Sequence, residues 1–362
     1  MQKILLFIAS LFYFNSLFAK DEIKSWQGIH ETPLSRLEQQ FADPPVEFAN
    51  HVIWGWEGKM DKKTICNDLD SIKKKGFRAI IFEAGYKLPF KYLSEEWFKA
   101  IRTGVLEAKK RGMKVWIIDE GKYPSGFAGG KFSQERPDLR MQALVIGDTI
   151  QIKRGEVMTN HKIAPEIISA VAVSTSGAPN RTVAINNGEI SFNAGLDDWK
   201  ILLVKSDFRT AVTRAVNNPN GGKDATNSLC DYLNPVAVQQ FIDWTHEQYK
   251  KYLGKELGTT VLGFRGDEPD YAHLPWTPSI VQTFKDTKGY DPTPYLASFF
   301  TTSPTIQEQR VKADYWDVWS SLFATHFFKL QADWCAANGV AHITHLNKAV
   351  SYTHLRAHET RS

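Results

Sequence analysis

Apolar runs of strand length alternate along the chain with amphipathic stretches of helical period. FANHVIWGW (Phe48 to Trp56) reads as a strand. TICNDLDSIKKKG (Thr64 to Gly76) carries Ile65, Leu69 and Ile72 on one helical face and stops at Gly76. FRAIIFE (Phe77 to Glu83) is a second strand. SEEWFKAIRTGVLEAKKRG (Ser94 to Gly112) opens on an N-capping serine and acids and ends on bases and glycine, as a helix dipole favours. MKVWIIDE (Met113 to Glu120) is a third strand. This β–α rhythm predicts a parallel sheet.

From about Met141 to Gly222 the pattern turns to β-rich runs, with Asn187-Gly188 as a hairpin signal. The rhythm then returns. NPVAVQQFIDWTHEQYKKYLG (Asn234 to Gly254) has Asn234 as N-cap and Pro235 at the first helical position. TTVLGFRGDEP is a fourth strand, a long helix falls within Ile306 to Ala337, and VAHITHLN (Val340 to Asn347) is a fifth strand. Five β–α units around one small inserted β-rich domain predict an α/β fold, the first part of a (β/α)₈ TIM-type barrel. Strands near Val52, Ile80, Val115, Leu262 and Ile343 should then lie parallel and consecutive in one curved sheet. A doubly wound sheet is the alternative; no Gly-rich phosphate loop follows the first strand, which weakens its nucleotide-binding form.

The ends of the chain read differently. A basic start at Lys3 and an apolar run closing on Ala19 predict a secretory signal peptide over residues 1–19. No later stretch is apolar enough for a transmembrane segment. VSYTHLRAHETRS, residues 350–362, resembles a translated sequencing-adapter tail, and the chain is then expected to be an N-terminal fragment. Between these ends the boundaries are barrel over 20–140, insertion over 141–223 and barrel again over 224–349.

The 362 residues are 43% hydrophobic and 12% aromatic, ample for a large core. A net charge of +4 without a dense basic tract excludes a nucleic-acid footprint. Three scattered cysteines, Cys66, Cys230 and Cys335, argue against a disulfide framework or zinc site.

In a barrel the strand C-termini meet at one mouth, where active sites are built. Strand one ends on Trp56 and Glu57, strand two on Glu83, strand three on Asp119 and Glu120 with Tyr123 beyond, strand four on Arg265, Asp267 and Glu268 with Tyr271 beyond, and strand five on His345 and Asn347. Converging carboxylates with aromatic walls suit glycoside hydrolysis, in which one carboxyl protonates the leaving oxygen while another activates water or attacks the anomeric carbon. Alternation along a strand predicts that only one of Asp267 and Glu268 faces substrate. Gly126, Gly129 and Gly130 suit either tight turns or close approach to a ligand. His246 reads as structural. Trp276 is a stacking platform or a loop anchor.

DEGKYPSGFAGG (Asp119 to Gly130), SLCDYLNPVAVQQFIDWTHEQY (Ser228 to Tyr249), GFRGDEPDYAHLPWTPSIVQTFKDTKGYD (Gly263 to Asp291) and HITHLN (His342 to Asn347) resemble the rhamnosidases of glycoside hydrolase family 106. The likeness runs from about His51 to Asn347. It implies a large secreted enzyme that removes α-L-rhamnose from plant-type polysaccharides with inversion, on an elaborated barrel with calcium in the active site. It also implies that Glu268 is one catalytic carboxylate. Many other barrel glycosidases carry Asn-Glu-Pro at the end of strand four with Glu as the acid; here Asp267 replaces that Asn. The second catalytic carboxylate is expected on a later strand, and no calcium ligand carries over to a numbered position. A barrel glycosidase of other sugar specificity and a non-catalytic carbohydrate-binding protein remain alternatives.

Overall fold

The computed structural model describes residues 34–42, 50–121, 124–209, 229–271 and 273–346. The signal peptide, the adapter tail, Tyr123 and Asn347 lie outside them. The chain divides into Met1–Asn50, whose described part is essentially the helix Leu34–Ala42, and His51–Ser362.

In the second unit, five strands form one parallel sheet: β1 (His51–Trp56), β2 (Ala79–Ala84), β3 (Lys114–Ile118), β11 (Val261–Asp267) and β13 (Ala341–His345). They lie in that order, every neighbouring pair parallel. There is no reversal in the order, whereas doubly wound sheets have one. The helices after β1 and β2 start and stop as their sequences dictate. Asp61 caps Lys62–Lys74 by accepting from the Thr64 amide, and Ser94 caps Glu95–Lys110 by accepting from Trp97.

Register fixes the faces. Gly55 pairs with Glu83, Ile81 with Trp116, Ile118 with Arg265, and Asp267 with His345. Alternation places Trp54, Trp56, Phe82, Ile117 and Phe264 on the opposite face. There they share a core with Leu69, Trp97, Ile101, Val105 and Tyr249 of the flanking helices.

The segment between β3 and β11 builds two antiparallel sheets. In one, β4 (Gln142–Ile152) pairs with β10 (Trp199–Phe208), which pairs with β6 (Ile167–Ser174), which pairs with β7 (Arg181–Thr182). The other joins β5 (Val157–Lys162), β9 (Glu189–Asn193) and β8 (Ile185–Asn186). The turn between β8 and β9 is Asn187-Gly188, with φ of 50° and 75°, as a type I′ hairpin requires. The larger sheet gains a strand from beyond the insertion: β12 (Pro275–Trp276) pairs with the start of β4. Leu144, Val171, Leu202 and Val204 pack on Trp276, Ile280, Phe284, Tyr315 and Trp319, so this sheet shares a core with the later helices. Trp276 is a buried anchor of that core, not a platform.

Two expected helices are less regular than their patterns. The one starting at Asn234 breaks at Thr245 (φ −114°, ψ −83°), whose hydroxyl donates to the Phe241 carbonyl. The break seats His246 against the Phe264 ring, 4.3 Å between centroids. The long helix runs from Ile306 to Ala337 but widens into a π turn at Phe323–Phe328. That turn brings Phe323 and Phe327 onto Tyr232.

Candidate active site

Glu83, Arg265, Asp267 and His345 stand on one face of the parallel sheet, at its C-terminal edge. Glu268 follows β11 directly. Its backbone has φ +37°, a value side-chain-bearing residues rarely adopt. That turn cancels the strand alternation, and both carboxylates reach the same imidazole: His345 Nδ1 lies 3.4 Å from Asp267 Oδ1 and 3.3 Å from Glu268 Oε1. The expectation that only one of the two acids would face the site is therefore corrected. Alternation holds only while the backbone stays extended, and here it leaves that region at Glu268. The Glu268 amide donates to the His345 carbonyl at 2.7 Å, and Arg265 Nη2 lies 3.7 Å from Asp267 Oδ1. The Asp267 and Glu268 side chains keep 22% and 30% of their surface open, so a ligand can reach them.

Other expected site residues are placed differently. Glu57 is exposed just past β1. Trp56 is 0% exposed and lies on the helix-facing side, edge-on to Phe82 and Trp97. Its position at a strand end suggested that it faces the site, but its parity points it into the core. Glu120 is also buried. Its carboxylate accepts from the backbone amides of Gly121, Ala128 and Gly129 and is consumed in shaping the loop that carries the Gly-rich stretch. Asp119 is fully buried as well: Oδ1 accepts from Ser125 Oγ at 2.6 Å, and Oδ2 has no hydrogen-bond partner among the described residues. Neither acid presents surface to a ligand. Tyr271 is 41% exposed, its ring tilted against Trp319 at 4.6 Å.

The loop glycines serve packing. Gly126 has φ +98°, and a Cβ there would lie 2.5 Å from the Tyr232 ring. Tyr232 and Ser125 were not singled out in the sequence. A signal existed in the proline-serine-glycine turn six residues after Asp119, but nothing local ties it to Tyr232, more than a hundred residues later.

A family model described as alpha-L-rhamnosidase, glycoside hydrolase 106, matches residues 160–353, just over half of the chain. The chain belongs to the glycoside hydrolase 106 family. The match includes Arg265, Asp267, Glu268 and His345 but not Glu83, Asp119 or Glu120. Among solved structures, a rhamnosidase from Novosphingobium sp. PP1Y superposes with a TM-score of 0.62 at 15% identity, over 87% of this chain and 47% of that one. At that identity the likeness speaks for the fold. A Formosa agariphila protein named "Putative beta-glucuronidase" is 23% identical over 363 residues, covering 85% of this chain and 30% of that protein. The chain thus spans under half the length of these two relatives.

The glycoside hydrolase 106 resemblance raised calcium, a cation that takes oxygen ligands. The unpartnered Asp119 Oδ2 is a donor of that kind. Among the described residues, however, no group of three or more His, Cys, Asp or Glu side chains is arranged to hold a metal ion. The described His, Cys, Asp and Glu side chains alone therefore do not compose a calcium site.

Burial sets the pH response of this family member. Desolvation pushes Asp119 from its ordinary 3.8 up to about 7, with Ser125 opposing and the Asp267 charge adding to it. Desolvation likewise pushes Glu120 from 4.5 to about 8 against its backbone N–H donors, and Asp231 from 3.8 to about 7. For these acids the folded state binds the extra protons. Their contribution is complete below the ordinary carboxylate range and is lost as pH rises through about 7 and about 8. His246 and His342 are shifted the other way by burial, from 6.5 to about 3 and about 4. They cost stability only as pH falls below 6.5 and are neutral in both states above it. Thermal melts should therefore show Tm falling as pH rises from about 6.5 to about 8, where the buried histidines no longer offset the acids. A Tm that is flat or rising across that window would refute this balance.

Proposed function

We propose that the chain is the acid-bearing part of a secreted glycoside hydrolase that cleaves terminal α-L-rhamnose from plant-type polysaccharides or glycosides with inversion. The observation that carries this is the convergence of Asp267 and Glu268 on His345 at the C-terminal edge of a parallel sheet, in a member of an alpha-L-rhamnosidase family. The five strands are read as part of a (β/α)₈ barrel. Their unreversed order supports this, as do Ile53 and Ile343, which are 48% and 42% exposed on the face that barrel closure would cover.

In this reading Glu268 gives a proton to the glycosidic oxygen as the bond to the anomeric carbon breaks. A second carboxylate takes a proton from the attacking water, and an inverting site leaves room for that water between the two. Asp267 orients His345, and His345 in turn holds the Glu268 carboxyl at the mouth. Glu83 and Arg265, on the same face, bind sugar hydroxyls. Calcium would need ligands from outside the described residues.

The test is hydrolysis of an aryl α-L-rhamnoside beside an aryl β-glucuronide, with the product anomer followed by NMR. Rhamnoside turnover that yields the inverted anomer is the expected result. Preference for the glucuronide would move the chain to the alternative sugar specificity. Binding of either sugar without turnover in the longest natural form would indicate a carbohydrate-binding protein.

A further inference from the structure

The strained turn at Glu268 is held from both sides. On one side its own amide is bonded to His345. On the other, a loop residue brackets the peptide units just before it. Ser125 N–H donates to the Asp267 carbonyl at 2.9 Å, and the Asp267 amide donates to Ser125 Oγ at 2.7 Å. The same hydroxyl donates its proton to Asp119 Oδ1 at 2.6 Å. Ser125 is itself immobilised: its carbonyl accepts from the Tyr232 hydroxyl, and the next carbonyl, of Gly126, accepts from the Cys230 amide at 2.9 Å. Ser125 is fully buried.

We propose that Ser125, oriented by Asp119, is a positioning residue that fixes the end of β11 so that Glu268 is presented toward the glycosidic oxygen. The proposal rests on the reading of Glu268 as the proton donor. Its logic is stereochemical. A hydroxyl has one proton to give and lone pairs to receive. Asp119 takes the proton, which leaves an Oγ lone pair for the Asp267 amide. Alanine keeps the backbone bond from Ser125 but leaves the Asp267 amide and Asp119 Oδ1 without their partner. Only the backbone bonds, Ser125 N–H to the Asp267 carbonyl and the Glu268 amide to the His345 carbonyl, then oppose relaxation of the positive φ at Glu268 toward an ordinary extended value.

Two measurements on the full chain test this. Amide hydrogen exchange reads the clamp without any substrate. In Ser125→Ala, exchange at Asp267 should quicken by about tenfold or more while the amides of β2 and β3 stay protected. Unchanged Asp267 exchange would overturn the clamp. Kinetics read its consequence. Ser125→Ala should lower kcat by roughly 10–100-fold with KM within about twofold, because misplacement acts on the reacting geometry rather than on binding. Glu268→Gln combined with Ser125→Ala should be no slower than Glu268→Gln alone, since a group that acts only through Glu268 has nothing left to position. Additive losses would make Ser125 a merely structural residue and sink the proposal. If Glu268→Gln is without effect, the reading of Glu268 falls instead, and the exchange result still decides whether the clamp exists.

Discussion

Glu268→Gln is expected to lower turnover of an alkyl α-L-rhamnoside, whose leaving group needs protonation, by roughly 10²–10⁴-fold, the usual worth of general acid–base catalysis. Glutamine keeps the shape of the side chain and the backbone bond to His345 while removing the transferable proton. On an aryl rhamnoside with a good leaving group the loss should be much smaller, because little proton transfer is needed. That contrast separates an acid from a residue that only binds. KM should change little. Asp267→Asn is the control that assigns roles. Both acids touch the same imidazole, so either could in principle be the donor. Glu268 is preferred because it is the more open of the two and one methylene longer, and because Asp267 is also tied to Arg265. If Glu268→Gln left the rate within about twofold while Asp267→Asn abolished it, the roles would be reversed.

The parallel sheet was legible because each of its strands is an apolar run flanked by helical patterns with explicit caps. Ser94 and Asn234 act as the N-caps their positions promise; Asp61, which caps the helix after β1, starts it two residues earlier than its apolar pattern does. Asn187-Gly188 was equally readable, since its turn is decided by two residues alone. What sequence did not convey were features that depend on distant partners. Thr245 looks like any helical residue until its hydroxyl is seen to bend the helix and seat His246 on Phe264. Trp276 lies outside the insertion in sequence yet completes its sheet. At the site, position at a strand end was readable but facing was not. Glu83 and Asp267 come to the expected edge, and Glu268 reaches it through a backbone conformation that no pattern of hydrophobicity encodes. Glu120, just past the end of β3, is spent on three loop amides.

Trp56 offers the sharpest separation between core and site. Its sequence context, an aromatic beside an acid at the end of β1, matches a residue facing the site. Its surroundings do not. The indole is edge-on to Trp54, Phe82 and Trp97 at centroid distances of 5.4, 4.9 and 5.8 Å. Its Cζ2 lies 3.2 Å from where a Cβ on Gly104 would sit, so the helix spanning Glu95–Lys110 rests directly on it. Trp56→Ala should cost about 3–5 kcal/mol, the range for deleting a buried large aromatic. That is a large share of the roughly 5–15 kcal/mol that holds a typical domain folded. Trp56→Phe should cost less: it keeps most of the edge-to-face contacts and removes an indole N–H that has no hydrogen-bond partner among the described residues. Urea unfolding of the two variants checks both values. A platform would behave in the opposite way, with stability unchanged and KM raised in both variants. That outcome would return Trp56 to the site and require its ring to turn through the sheet, which the register of β1 against β2 does not allow.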